Sequence, residues 1–224
     1  MTDHENSKRA EGKEPLFNAP VSAFIVPLLI FGLAFLQFMA PDATRQMIVD
    51  AFGLNPVLLR TGRVELLISY AFVHLGIIAA ALNALLILAF SVPLIRAFGS
   101  GAGGFTSYAT FVLTCSVVAG LIHCLIYMYD NQTVIGASGL MSGLFGAAAR
   151  FPGFKTGTGR LNGFLTPQVI VMTLVWCGFN IVQAIDGNGA GEMAWEGHVA
   201  GYFAGLLLIG PWLRFSNPIY FTTK

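Results

Sequence analysis

Gly136-Ala137-Ser138-Gly139-Leu140-Met141-Ser142-Gly143 opens an apolar run that stops at Phe151, next to Pro152. Counted from Ser138 to the Arg150/Pro152 break it has only about 14 residues, roughly 21 Å of helix at 1.5 Å per residue. Hydrocarbon about 30 Å thick takes about 20 residues to cross. A helix this short, starting on a serine, is expected to begin below a membrane surface with a water-filled dip above its N-terminus. Irregular backbone is tolerated at membrane depth where it lines such a cavity.

The rest of the chain supplies the membrane context. Of its 224 residues, 55% are hydrophobic and 10% charged, against about 25% charged in soluble domains. Besides Ser138–Phe151, apolar segments run over Val21–Ala40, Leu75–Ala97, Thr106–Met128, Pro167–Ile185 and Trp195–Leu213. The runs are continuous and do not alternate, which excludes a β-barrel; backbone groups in lipid are then satisfied by helices. The expected fold is an all-α polytopic membrane protein, a six-transmembrane-helix bundle. Its long first outer loop, from Pro41 to His74, holds two helical pieces, Thr44–Leu54 and Val64–Val73, broken by Asn55-Pro56. A loop of this length with structure of its own is usually functional.

Basic residues orient the bundle. Lys8, Arg9, Lys13, Arg96, Arg150, Lys155, Arg160, Arg214 and Lys224 fall on one side, and only Arg45, Arg60 and Arg63 on the other. The positive-inside rule puts both termini in the cytoplasm. The chain then divides into a polar cytoplasmic tail over 1–20, a membrane domain over 21–214 and a short cytoplasmic tail over 215–224. The run from Val21 to Ala40 is too long for a signal peptide and ends on a poor cleavage site, so it reads as the first span. A bacterial inner membrane is the expected location. The net charge of +1 points to no nucleic acid and no polybasic membrane patch. Cys115, Cys124 and Cys177 fit no metal spacing or disulfide framework and read as small core residues.

With this topology Ser138 begins a span entered from outside. His198, in Gly197-His198-Val199-Ala200-Gly201, lies one turn into another, and Asn83 lies about two turns (~12 Å) into a third. All three share a leaflet. A serine needs a base to become a nucleophile, and His198 is the histidine placed to serve Ser138. Donors at a helix N-terminus favour negative charge, so the Ser138 N–H and the Asn83 amide are the expected oxyanion donors. Gly139 and Gly143 on one helix, and Gly197, Gly201 and Gly205 on the other, let backbones pack closely. Read alone, Gly-x-Ser-Gly is equally a packing motif and His198 a satisfied bundle histidine. Asn83 alone is equally a helix–helix hydrogen-bonding residue.

Gly136-Ala137-Ser138-Gly139 with Gly143, and Gly197-His198-Val199-Ala200-Gly201 with Gly205, resemble the rhomboid intramembrane serine proteases. His74 with Asn83 nine residues on, the long loop before them and Phe98-Gly99 after that helix fit the same family, over residues 21–214. The resemblance implies a Ser–His dyad without an acidic third member. It also implies cleavage of transmembrane protein substrates near the outer face of the lipid bilayer, with no metal and no cofactor. Departures from the family are Ala79, where many members have a second histidine, and Ser142, where many bacterial members have a tyrosine stacked on the catalytic histidine. The long loop also lacks the Trp-Arg pair often seen there. Ser142 implies that His198 is held differently here.

His74 and His123 are expected to support the site from behind, His74 by pinning the end of the long loop and His123 in a structural or water-linked role. The glycine-rich stretch over 186–194 reads as a lid or as an ordinary loop. The alternative function is a catalytically silent rhomboid-like protein that binds and escorts transmembrane helices. A transporter is disfavoured by the lack of an inverted repeat and of an intramembrane carboxylate.

Overall fold

The apolar segments fold as helices close to the expected limits. A computed structural model describes residues 19–99, 101–152, 159–185 and 195–221. Among these residues the helices are α1 (Ile25–Met39), α2 (Asp42–Phe52), α3 (Pro56–Arg60), α4 (Leu66–Ser69), α5 (Ile77–Phe98), α6 (Ala102–Ile126), α7 (Ser138–Ala149), α8 (Pro167–Ile185) and α9 (Trp195–Ser216). A 3-10 turn over Val21–Phe24 leads into α1, and together they make one apolar helix of 19 residues. That helix, α5, α6, α8 and α9 are the five long and apolar enough to cross a membrane. The sixth, α7, has only 12 residues.

Burial explains how α7 holds its place. Ten of its residues are buried, and α5, α6, α8 and α9 all pack against it. The outer helices are the reverse. Leu28 and Leu36 on α1, Ile78 and Leu85 on α5, and Leu174 and Val182 on α8 are all exposed. Apolar surface on this scale marks contact with lipid rather than water.

Most spans have a limit shifted by one to three residues from the sequence reading, and two further differences have a visible cause. Helix α6 starts at Ala102, four residues before Thr106, because the glycines there do not break it. A Cβ on Gly104 would lie 1.8 Å from the Gly99 carbonyl oxygen, so the small residue lets α6 turn tightly against the end of α5. In the long loop, α2 ends at Phe52 with Gly53 as its C-cap, and Asn55-Pro56 starts a further helix. The Asn55 side chain accepts hydrogen bonds from the Val57 and Leu58 N–H groups, with Pro56 at the first helical position, the arrangement both residues favour.

The long loop is bolted to the segment that leads into α7. Leu54 and Val134 exchange backbone hydrogen bonds of 2.9 Å as a lone antiparallel bridge. Asn55 Nδ2 donates to the Asn131 carbonyl and to Thr133 Oγ1. The Gly136 N–H donates to the Tyr70 carbonyl, and the Tyr70 hydroxyl donates to the Ser116 carbonyl on α6. Beneath these bonds Leu54, Leu66, Leu67, Tyr70 and Cys124 form a separate apolar cluster.

Candidate active site

The site begins with a backbone turn. Gly136 has φ +109°, a conformation that costs glycine little and other residues much. Gly136 is expected from its motif to support helix packing; in the structure it lies ahead of α7 and turns the chain into it. Helix α7 then starts at Ser138 with Ala137 as its N-cap, and no side chain caps it. N–H groups of a helix's first turn have no partner inside the helix, so this end is open to an anion.

Glycines of α7 and α9 face one another. A Cβ on Gly201 would lie 2.3 Å from the Gly139 carbonyl oxygen, and one on Gly205 would lie 1.8 Å from that of Gly143. Gly146, which continues the row on α7, faces Tyr202: a Cβ there would lie 2.0 Å from the Tyr202 carbonyl oxygen. The stripe thus extends one step beyond the two quoted motifs.

This close pairing brings the serine and the histidine together. His198 Nε2 lies 2.7 Å from Ser138 Oγ. His198 is 5% exposed, while Ser138 is half-buried. A cavity of about 20 Å³ adjoins both, lined also by Tyr70, His123, Gly136 and Gly197. That is room for about one water.

The other ring nitrogen, Nδ1, lies 2.9 Å from Asn180 Oδ1 on α8. Asn180 is completely buried, and the sequence reading passed it over. Its signal was a polar side chain inside an apolar run, which is expensive in a bilayer. Ser142 does not reach the histidine; its hydroxyl donates to the Ser138 carbonyl at 2.7 Å. The Trp176 ring stands beside the imidazole, centroids 6.4 Å apart.

His74 sits on the far side of the Ser138 turn. Its Nε2 faces two donors, the Ala137 N–H at 3.2 Å and Asn83 Nδ2 at 3.3 Å, so that nitrogen accepts. His74 lies between the long loop and α5, and burial pulls its pKa down from 6.5 to about 4. It is neutral at physiological pH, as a double acceptor must be. The end of the loop is pinned as well, because the His74 N–H donates to Gln37 Oε1 on α1 at 2.9 Å.

His123 pairs through Nδ1 with Glu196 at the start of α9. Both side chains are 4% exposed. The expectation of no intramembrane carboxylate is therefore corrected. Glu196 lies in the first turn of a span, where a sequence scan reads it as an edge, but packing of α9 on α6 buries it against His123. The stretch over 186–194 lies outside the described residues. Among those that are described, no three His, Cys, Asp or Glu side chains converge as a metal site.

The family model described as Rhomboid domain matches residues 61–215. No curated protein matches the chain. The matched span holds Asn83, Ser138, Asn180 and His198, as well as the five helices α5–α9.

Proposed function

Because the chain is an integral membrane protein and belongs to the rhomboid family, whose members are generally intramembrane serine proteases, we propose that it is a serine endopeptidase cutting transmembrane protein substrates. The observation that carries this reading is the 2.7 Å contact between His198 Nε2 and Ser138 Oγ. That is the nucleophile–base geometry of acyl transfer, built between two helices by a glycine contact. A scaffold that only bound helices would need neither group.

Ser138 Oγ attacks the scissile carbonyl carbon as its proton passes to His198 Nε2. The tetrahedral oxyanion sits at the uncapped start of α7, held by the Ser138 N–H and the Asn83 side chain. Asn83 Nδ2 carries two hydrogens; with one directed at His74, the other is free for the oxyanion. The C–N bond then breaks and His198 delivers its proton to the leaving amine. Water adds to the acyl ester, loses a proton to Nε2 and frees the new carboxyl group as that proton returns to Ser138. His74 takes no proton in this scheme. It orients Asn83 and the Ala137 amide.

Both termini face the cytoplasm in this reading, and cutting takes place near the outer face of what is a bacterial inner membrane. An intact helix hides its carbonyls in its own hydrogen bonds. Substrates are therefore spans with helix-breaking residues near the outer end and a small residue before the cut. The test is cleavage, in proteoliposomes, of a single-span reporter carrying such a break. The parent should release a soluble fragment, and Ser138→Ala should not. Equal cleavage of a reporter stiffened to uninterrupted Leu/Ala helix would contradict the substrate rule. No cleavage of any reporter would favour the escort alternative.

A further inference from the structure

The Asn180 carboxamide has its polarity set by its own helix. Nδ2 donates to the Trp176 carbonyl one turn back at 2.9 Å, which leaves Oδ1 facing His198 Nδ1. An amide oxygen can only accept, so Nδ1 must carry the imidazole hydrogen. A neutral imidazole has one such hydrogen, and Nε2 is left with a lone pair directed at Ser138 Oγ.

We infer that Asn180 is a positioning residue for the dyad: its amide oxygen holds His198 as the Nδ1–H tautomer and aims Nε2 at Ser138. The role rests on the protease reading above. It supplies the neutral counterpart of the carboxylate that orients histidine in soluble triads. A carboxylate at this buried point on α8 would be costly in a membrane; an amide provides the acceptor without the charge. It also explains how His198 is held when Ser142 is turned back on the Ser138 carbonyl. The chain is linked from α8 through α9 to α7, so three helices meet on one imidazole.

Two measurements on the full chain in detergent test this. The first needs no turnover: ¹⁵N NMR of histidine-labelled protein, with His198 assigned from His198→Gln. The expected result is a protonated Nδ1 and a bare Nε2, with this single tautomer lost in Asn180→Leu. The second is the rate of labelling by a fluorophosphonate. Asn180→Leu keeps the size but removes the acceptor, and should label on the order of 10²-fold more slowly, short of the ~10⁴ that a wrong tautomer costs a charged triad. Asn180→Asp restores an acceptor and should recover most of the rate.

A packing role reverses that order, because Leu suits a buried apolar site and Asp does not. Labelling of Asn180→Leu at the parent's rate with Asn180→Asp the slower, or an Nε2–H tautomer in the parent, overturns the inference. A parent with the Nδ1–H tautomer that never labels defeats the protease reading instead, and the positioning role with it.

Discussion

Gly201 stands against Gly139 so closely that a Cβ on Gly201 would lie 2.3 Å from the Gly139 carbonyl oxygen. Gly139 follows Ser138, and Gly201 is one turn past His198. The contact between backbones therefore sets the distance between the two reactive side chains. Gly139 also lines the small cavity beside Ser138, and the site depends on both residues being glycine.

Gly201→Ala should separate α7 from α9. Overpacking costs about 1–3 kcal/mol, and a misplacement near 1 Å costs about 10²-fold in rate. Fluorophosphonate labelling of Ser138 should fall by about that factor in protein that still elutes as a folded species. Gly178→Ala is the control, since a Cβ on Gly178 meets nothing within 4 Å. Equal labelling of Gly201→Ala and the control would show that the contact does not set the site.

Asn55 is expected to matter at a distance. Its side chain caps α3 and reaches across to Asn131 and Thr133, a few residues before Ser138. Asn55→Ala should cost about 1–2 kcal/mol from the cap alone, seen as a lower melting temperature in detergent. Labelling should slow as well, since the turn into α7 loses its brace. An unchanged melting temperature would contradict the cap.

The His74 environment predicts a direction for pH dependence. The folded protein resists protonating His74 until about pH 4, while the unfolded chain accepts that proton from about 6.5. Stability rises with pH wherever the unfolded state binds more protons. The His74 contribution is thus complete above pH 6.5 and is lost as pH falls toward 4. The melting temperature of the parent should drop more steeply across that window than that of His74→Gln, which keeps an acceptor but does not titrate. Parallel curves would overturn this.

Arg150 offers a test of stability without activity. Its Nε donates to the Asn162 carbonyl at 2.6 Å and its Nη1 to the Leu206 carbonyl at 3.1 Å. The guanidinium also lies over the Phe164 ring, 4.1 Å from the centroid. Arg150→Met should destabilise the bundle by about 1.5–3 kcal/mol, measured by thermal denaturation. Per folded molecule, labelling at Ser138 should stay at the parent's rate, because Arg150 lies at the opposite end of α7. A loss of labelling in folded protein would mean that this end is coupled to the site.

The helices and the Ser138–His198 pair were legible in the sequence because each leaves a local mark. Apolar runs near 20 residues declare the spans, and α8 matches its expected limits, Pro167–Ile185. The short run after Ser138 declares a helix that begins below the membrane surface. Two motifs of glycine around a polar residue declare a close approach. Asn180 and Glu196 left weaker marks. Each is a single polar residue in or beside an apolar run, and its meaning depends on which face of α8 meets α9 and which end of α6 meets Glu196. That is a property of packing, which one sequence does not carry. The extra small helix of the long loop, α3, was hidden for a related reason: Asn-Pro reads as a helix breaker, yet α2 already ends at Phe52 and Asn55-Pro56 caps the next helix.

The decisive measurement is labelling of the detergent-purified protein with a fluorescent fluorophosphonate, run beside Ser138→Ala and His198→Ala. An activated serine reacts with this probe whatever the natural substrate. Labelling of the parent, and of neither variant, is the expected result, and it would establish a Ser138 nucleophile that depends on His198. A folded parent that stays unlabelled, or a His198→Ala variant that labels as fast as the parent, would contradict the dyad.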